Sequence, residues 1–148
     1  MNACIPYLYF DGKAAEAMRL YHGVLGGELK VLRYADAPAG VTAAPPGCEP
    51  SDTARVMHAM LQFDGGMLMA SDVPNSKMAE RIGGMSVNLT FTDPAKARRV
   101  FDALSEGGAV RMPFGTTFWA DGFGAVVDRF GTPWMVGGGL KNVPSTGS

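Results

Sequence analysis

Strand and helix signals come in the same order twice along this chain, and that duplication limits the folds open to it more than any other feature. In the first half, Ile5-Pro6-Tyr7-Leu8-Tyr9-Phe10 is short, aromatic-rich and closed by Asp11-Gly12, the marks of a strand that stops at a turn. Ala14, Ala17, Met18, Tyr21, Val24 and Leu25 then fall on one helical face, with Glu16, Arg19 and His22 turned outward and Gly26-Gly27 as the stop. Three strands are predicted after the helix: Glu28 to Tyr34, Arg55 to Phe63 and Met67 to Ser71. The last two are joined by the glycine-bearing turn Asp64-Gly65-Gly66.

The second half repeats the order. Met85, Val87, Leu89 and Phe91 alternate with Ser86, Asn88, Thr90 and Thr92 in a period of two, the clearest strand pattern in the sequence. Asp93-Pro94 supplies an N-cap and a first-turn proline, Ala97, Val100, Phe101 and Leu104 make an apolar stripe, and Gly107-Gly108 ends the helix. Ala109 to Phe118, Gly124 to Asp128 and Trp134 to Gly137 read as the closing strands, with turns at Ala120-Asp121-Gly122 and Phe130-Gly131-Thr132-Pro133.

The pattern predicts an α+β fold of two βαβββ modules, about residues 4–73 and 84–140, packed as a single domain with a polar tail over 141–148. A repeat period of about 80 residues is too long for a solenoid. One helix per module leaves the other face of each sheet free, and the chemistry is sought there. Between the second and third strands, Asp36 to Ala54 carries Pro38, Pro45, Pro46 and Pro50. A loop of that length is either a lid or a disordered segment, and both readings stay open.

Composition narrows the partners. Hydrophobic residues make up 47% and charged residues 18%, which is globular, and 13 basic against 14 acidic residues leave a net charge of −1. With no basic run longer than Arg98-Arg99, the chain lacks the footprint for a nucleic-acid backbone. No segment approaches the roughly 18 uncharged residues of a membrane span, so neither a membrane nor export is expected and the location read is cytoplasmic. Cys4 and Cys48 fit neither a disulfide framework nor a thiolate metal site. Cys48 lies in the long loop with nothing cationic beside it and is read as a spectator. Ten methionines suit an irregular cavity as well as a core.

The residues filling this layout resemble the vicinal oxygen chelate superfamily of glyoxalases, bleomycin-resistance proteins, fosfomycin-resistance transferases and extradiol dioxygenases, and within it the PhnB-like branch. The resemblance rests on Pro6-Tyr7-Leu8 with Phe10-Asp11-Gly12 and Glu16-Ala17, and on Met57-His58-Ala59. It continues through Thr117-Phe118-Trp119, Phe123-Gly124 and Asp128-Arg129-Phe130-Gly131-Thr132-Pro133-Trp134. It implies a cupped eight-stranded mixed sheet and a homodimer. Apart from the resemblance, Asp128 is suited to bonding turn amides, Gly131 to a positive φ, and Trp134 to filling the base of the next strand.

In metal-using members the ligands are a His, Gln or Glu at the start of each module's first strand and a Glu or similar residue in each last strand. Those positions carry over to Ile5, Ser86, Met69 and Met135, with Tyr7 or Asn88 in place of the first pair if the register slips. None is a good hard-metal ligand. The chain's two histidines are His22, on an outward helix face, and His58. No metal and no other cofactor is therefore expected. Relatives carry a methyltransferase-type label, but Gly26-Gly27 and Gly137-Gly138-Gly139 lack the strand–loop–helix context of a cofactor-binding glycine loop.

The expected function is binding of a small organic molecule in the sheet cavity by Tyr7, Tyr9, His58, Met69, Ser86, Asn88, Trp119 and Met135. Each has a plainer alternative. Tyr7 and Tyr9 line a cavity or a dimer face, Ser86, Asn88 and Thr90 wall a cavity or stay hydrated, and Trp119 closes the mouth or sits in the core. His58, read as sharing a face with Val56, Met60 and Gln62, is the catalytic candidate, or else a strand histidine with an inward hydrogen bond. Asp72 is the residue considered to orient it, or to make a turn bond before Pro74. The alternative function is a metal-dependent lyase, isomerase, dioxygenase or thiol transferase of the same superfamily, with a divalent metal held partly by His58. A third reading is a partner-docking dimer whose cup is filled by its own side chains.

Overall fold

A computed structural model describes residues 2–38 and 46–144. The centre of the long loop, residues 39–45, and residues 145–148 of the tail lie outside the described residues, and so does the lid expectation placed on that loop. The chain divides into two compact units, Met1–Arg81 and Ile82–Ser148. Among the described residues there are eight strands, hydrogen-bonded as two four-stranded sheets, one in each unit. None of the described helices is long and apolar enough to cross a membrane.

In the first unit, β1 (Tyr7–Phe10), α1 (Ala14–Leu25), β2 (Glu28–Arg33), β3 (Val56–Phe63) and β4 (Gly66–Asp72) follow in the expected order. The sheet order is β1-β4-β3-β2, with β1 parallel to β4 and the other pairs antiparallel. Leu8 and Phe10 turn to the core with Ala59, Leu61, Leu68 and Ala70, and against them packs the α1 face of Ala14, Ala17, Met18 and Tyr21. The start of α1 has no side-chain cap from Lys13. Asp72 serves instead: one carboxylate oxygen accepts from the amide of Ala14 and the other from the amide of Val56, both at 2.9 Å. A carboxylate there also complements the positive end of the helix.

Two expectations are corrected here. Asp72 is neither the orienting partner of His58 nor a loop residue; it ends β4, 3% exposed, and ties α1 to β3. Val56 does not share a face with His58. Leu32 pairs with His58 but the next residue, Arg33, pairs with Val56, so Met57 is the extra residue of a β-bulge. The bulge reverses the alternation, sending Val56 into the core at 0% exposure while His58, Met60 and Gln62 keep the open face.

The second unit comprises β5 (Val87–Phe91), α2 (Pro94–Ser105), β6 (Ala109–Gly115), β7 (Ala120–Val127) and β8 (Pro133–Leu140), in the sheet order β5-β8-β7-β6. Asp93 caps α2 through the amide of Ala95 at 2.9 Å, and Pro94 occupies the first turn as its fixed φ favours. Val100, Phe101 and Leu104 are buried with Leu89, Val126, Trp134 and Val136. The β7–β8 turn is organised by Asp128. One carboxylate oxygen accepts from the amides of Phe130 and Thr132, the other from the indole of Trp134, and Gly131 takes a φ of 91°.

Strand ends differ from expectation here. Ala120-Asp121-Gly122 is no turn but the start of β7, and β6 stops at Gly115, ahead of the expected Phe118. The reversal lies at Thr117–Ala120, where the Thr117 hydroxyl accepts from the amides of Trp119 and Ala120. Strand β8 runs on through its three glycines to Leu140. A Cβ on Gly138 would stand 2.7 Å from Pro94 Cα, so the glycine is the condition for α2 to lie against the strand.

Candidate functional site

The second unit contains a cavity of about 220 Å³ lined by Asn88, Thr90, Trp119, Phe123, Met135, Gly137 and Leu140. Its polar wall comes from the period of two in β5: Val87 and Leu89 are buried, so Asn88 and Thr90 project from the opposite face. Strand β8 supplies the neighbouring wall, because Asn88 registers with Met135 and Thr90 with Gly137. Trp119 is held from both sides, its amide by the Thr117 hydroxyl at 3.3 Å and its carbonyl by the amide of Lys141 at 2.8 Å. Its ring meets Phe118 and Phe123 edge-on, at 4.9 and 5.3 Å between centroids. Gly137 makes the space for Phe123, since a Cβ there would lie 3.2 Å from that ring.

The open face of the first unit's sheet carries the other expected residues. Tyr7 registers with Met69, and Met69 in turn with Met60. The Tyr7 hydroxyl lies 3.1 Å from His58 Nδ1, and the Tyr7 and Tyr9 rings are 5.2 Å apart. Burial, first, and then the neighbouring Tyr7, Cys48 and Asp72 hold the Tyr34 phenol above its ordinary value of 10.0.

Of the expected residues, Asn88, Trp119 and Met135 therefore stand together in the second unit, and Tyr7, Tyr9, His58 and Met69 in the first. Ser86 is brought to neither group; it is exposed and precedes β5. Phe123, Gly137 and Leu140 were not anticipated. The signal for Gly137 was present in the glycine run itself, which marks close approach within a strand as readily as a loop.

The register also decides the metal-ligand correspondence. Ile5 and Ser86 lie outside the strands, and the first-strand residues beside Met69 and Met135 are Tyr7 and Asn88. Neither a phenol beside a thioether in the first unit nor a carboxamide beside a thioether in the second makes the oxygen and nitrogen donor set of a hard divalent cation. Among the described residues no three His, Cys, Asp or Glu side chains gather into a ligand cluster. The residues do not fit the superfamily's metal.

Two βαβββ modules, each a four-stranded mixed sheet with one helix, define the architecture of the glyoxalase and bleomycin-resistance proteins. Comparison with known proteins agrees. The family model described as 3-demethylubiquinone-9 3-methyltransferase matches residues 2–137. Protein PA1353 of Pseudomonas aeruginosa is 41% identical, with a TM-score of 0.81 over 95% of this chain and 100% of that one. Protein YjdN of Escherichia coli strain K12 is 35% identical over 88% of this chain and 91% of its own length. A glyoxylase/bleomycin resistance protein/dioxygenase domain from Frankia sp. EAN1pec shares the fold, with 11% identity and a TM-score of 0.60 over 96% of this chain and 98% of that one. The chain belongs to the family described as 3-demethylubiquinone-9 3-methyltransferase, and its fold is that of the glyoxalase and bleomycin-resistance proteins.

Proposed function

We propose that this protein binds a small organic molecule, apolar in its bulk and carrying a hydrogen-bonding group, without a resident metal ion. The observation that carries the reading is the cavity in the second unit, where Trp119, Phe123, Met135 and Leu140 offer apolar surface and Asn88 and Thr90 offer donors and acceptors. At about 220 Å³ it is below the roughly 300 Å³ at which drug-sized pockets begin, which favours a ligand of one ring or a short chain. The donor set at the register positions supports a metal-independent mode, as argued above.

The family's description names a methyltransferase, and methyl transfer is not the reading favoured here. The glycine-rich stretches are consumed by packing: a Cβ on Gly27 would collide with the carbonyl of Gln62, and one on Gly138 with α2. Neither forms a cofactor-cradling loop. The homodimer implied by the resemblance and the cytoplasmic location inferred from composition belong to the same proposal, the former testable by light scattering on the purified chain.

The experiment is a calorimetric and tryptophan-fluorescence screen of single-ring aromatic and short-chain carbonyl compounds against the metal-free protein. Saturable binding that Asn88→Ala and Trp119→Ala weaken by tenfold or more is expected. Stoichiometric metal in protein purified without added metal, with binding that depends on it, would replace this reading by the metal-dependent one.

A further inference from the structure

We propose that the cavity of the second unit selects neutral ligands, a carboxamide on a single ring over the carboxylate of the same ring. Asp121, outside the cavity lining, enforces the choice by holding the ammonium of Lys141. The inference rests on the cavity reading and adds to it a class of ligand and a specificity-determining pair.

Strand register lays out the open face of the second sheet in rows. Thr90, Gly137 and Phe123 stand side by side on β5, β8 and β7, and Asn88, Met135 and Ala125 form the neighbouring row. Gly137 has no side chain, so the first of these rows is hollow between Thr90 and Phe123. Two residues from Phe123 along β7, roughly 7 Å by the rise of a strand, Asp121 lies against the next alternate glycine of β8. A Cβ on Gly139 would stand 2.5 Å from the Asp121 Oδ2.

Lys141 completes that end of the face. Its ammonium is 3.7 Å from the Asp121 carboxylate and donates to the Thr117 carbonyl at 3.3 Å, while its amide donates to the Trp119 carbonyl at 2.8 Å. The cation bound to the turn that carries Trp119 is thus matched by an anion.

None of the residues lining the cavity is ionisable. A carboxylate settling over Gly137 would give up water and find its one neighbouring cation already paired, and an uncompensated charge is costly to desolvate. A carboxylate also only accepts, so it offers the Asn88 side-chain oxygen no donor. A carboxamide donates and accepts, and so suits both ends of the Asn88 side chain and the Thr90 hydroxyl. The ring that carries it rests on Trp119, Phe123 and the Met135 thioether.

Asp121 acts here through its charge. Its side chain is 57% exposed and that of Lys141 40%, and an ion pair so open to water adds little to stability. With Asp121 neutralised, Lys141 keeps its bond to Thr117 and stands as an unbalanced positive charge at the end of the cavity. It then acts on a ligand over a distance comparable with the Debye length, roughly 10 Å at 0.1 M salt. An anion previously rejected gains an attractive partner.

The test is calorimetric titration of the full chain with benzamide and with benzoate at neutral pH, where benzoate is ionised. Benzamide is expected to bind at least tenfold more tightly. Asp121→Asn should narrow that ratio fivefold or more by raising the affinity for benzoate, a gain that shrinks as sodium chloride is added. Lys141→Met on top of Asp121→Asn should restore the discrimination. Benzoate binding the wild type as tightly as benzamide overturns the proposal, and so does a ratio that Asp121→Asn leaves unmoved. A ratio narrowed by weaker benzamide binding overturns it too, because Asp121 would then be shaping the cavity. Asp121→Ser repeats the test should Asp121→Asn fail to fold. If neither probe binds, the proposal is overturned, and the wider screen of ring and carbonyl compounds shows separately whether the cavity reading falls with it: any other saturable ligand lost in Trp119→Ala keeps that reading.

Discussion

The indole N–H of Trp134 donates to the Asp128 carboxylate at 2.8 Å, with the ring fully buried and the carboxylate 3% exposed. The same carboxylate holds the amides of Phe130 and Thr132. Asp128→Ala removes the acceptor of three bonds, two of them buried, and at about 1–3 kcal/mol for each buried group a loss of at least ~2 kcal/mol is expected. Asp128→Asn keeps one acceptor oxygen and should lose about 1–2 kcal/mol. Urea unfolding of the two variants checks the order; equal losses would mean that the carboxylate is not the hub of the turn.

Gly138 and Gly137 are adjacent and should respond differently to the same added methyl. On Gly138 it meets Pro94 Cα at 2.7 Å and the Asp93 carbonyl at 3.0 Å, rigid backbone at the start of α2. Overpacking of this kind costs about 1–3 kcal/mol. On Gly137 the nearest atom is the Phe123 ring at 3.2 Å, which can turn, so Gly137→Ala should cost less and disturb the cavity more. Thermal unfolding with calorimetric binding on both variants separates the effects, and a Gly138→Ala protein as stable as the wild type would deny the helix contact.

Asp11 accepts from Arg55 at 2.8 Å and from the Ser76 hydroxyl at 3.0 Å, and these bonds, led by Arg55, hold its carboxyl below the ordinary 3.8. A carboxyl with a lowered folded value contributes stability that is complete above 3.8 and lost as the pH falls through the lowered value. Asp11→Asn should therefore be less stable at neutral pH and should show a shallower decline on the acid limb. Stability curves of the two proteins from pH 7 to pH 2 test this, and parallel acid limbs would contradict it.

Tyr34 gives the opposite sign. Its phenol is held above 10.0, chiefly by burial, so its contribution is complete below 10.0 and lost as the pH rises through the raised value. Tyr34→Phe should remove a late-titrating phenol from the tyrosinate absorbance curve. Tyr7→Phe should move that phenol to lower pH by taking away a neighbouring ionisable group. A difference curve for Tyr34→Phe centred at or below 10.0 would refute the assignment.

The repeated order of elements was readable because strand and helix periodicities are local and Gly26-Gly27, Asp93-Pro94 and Gly107-Gly108 punctuate them with ordinary backbone chemistry. Asn88 was within reach for the same reason: a strand's alternation names its face. What the sequence hid was long-range. Nothing near His58 announces that Met57 is an extra residue, because a bulge is defined by its partner strand. Nothing near Tyr7 announces His58, which lies two strands away. Asp72 was misread because its amide partners come from α1 and β3, and nothing near Gly138 announces that the α2 backbone leaves no room there for a side chain.

The parallel pairing of β1 with β4 bears on how the module is assembled in time. Tyr7 and Met69 come from opposite ends of its sequence, whereas β3 and β4 are joined by a tight hairpin. Closing the long loop costs chain entropy before the pair returns any contact energy, so β1 should dock onto an already formed β2-β3-β4 meander. Leu8→Ala should then accelerate unfolding far more than it slows folding, while Leu61→Ala slows folding. The bridge between Tyr7 and His58 is by this account among the last bonds the module makes, and the first to be lost if its leading strand peels away.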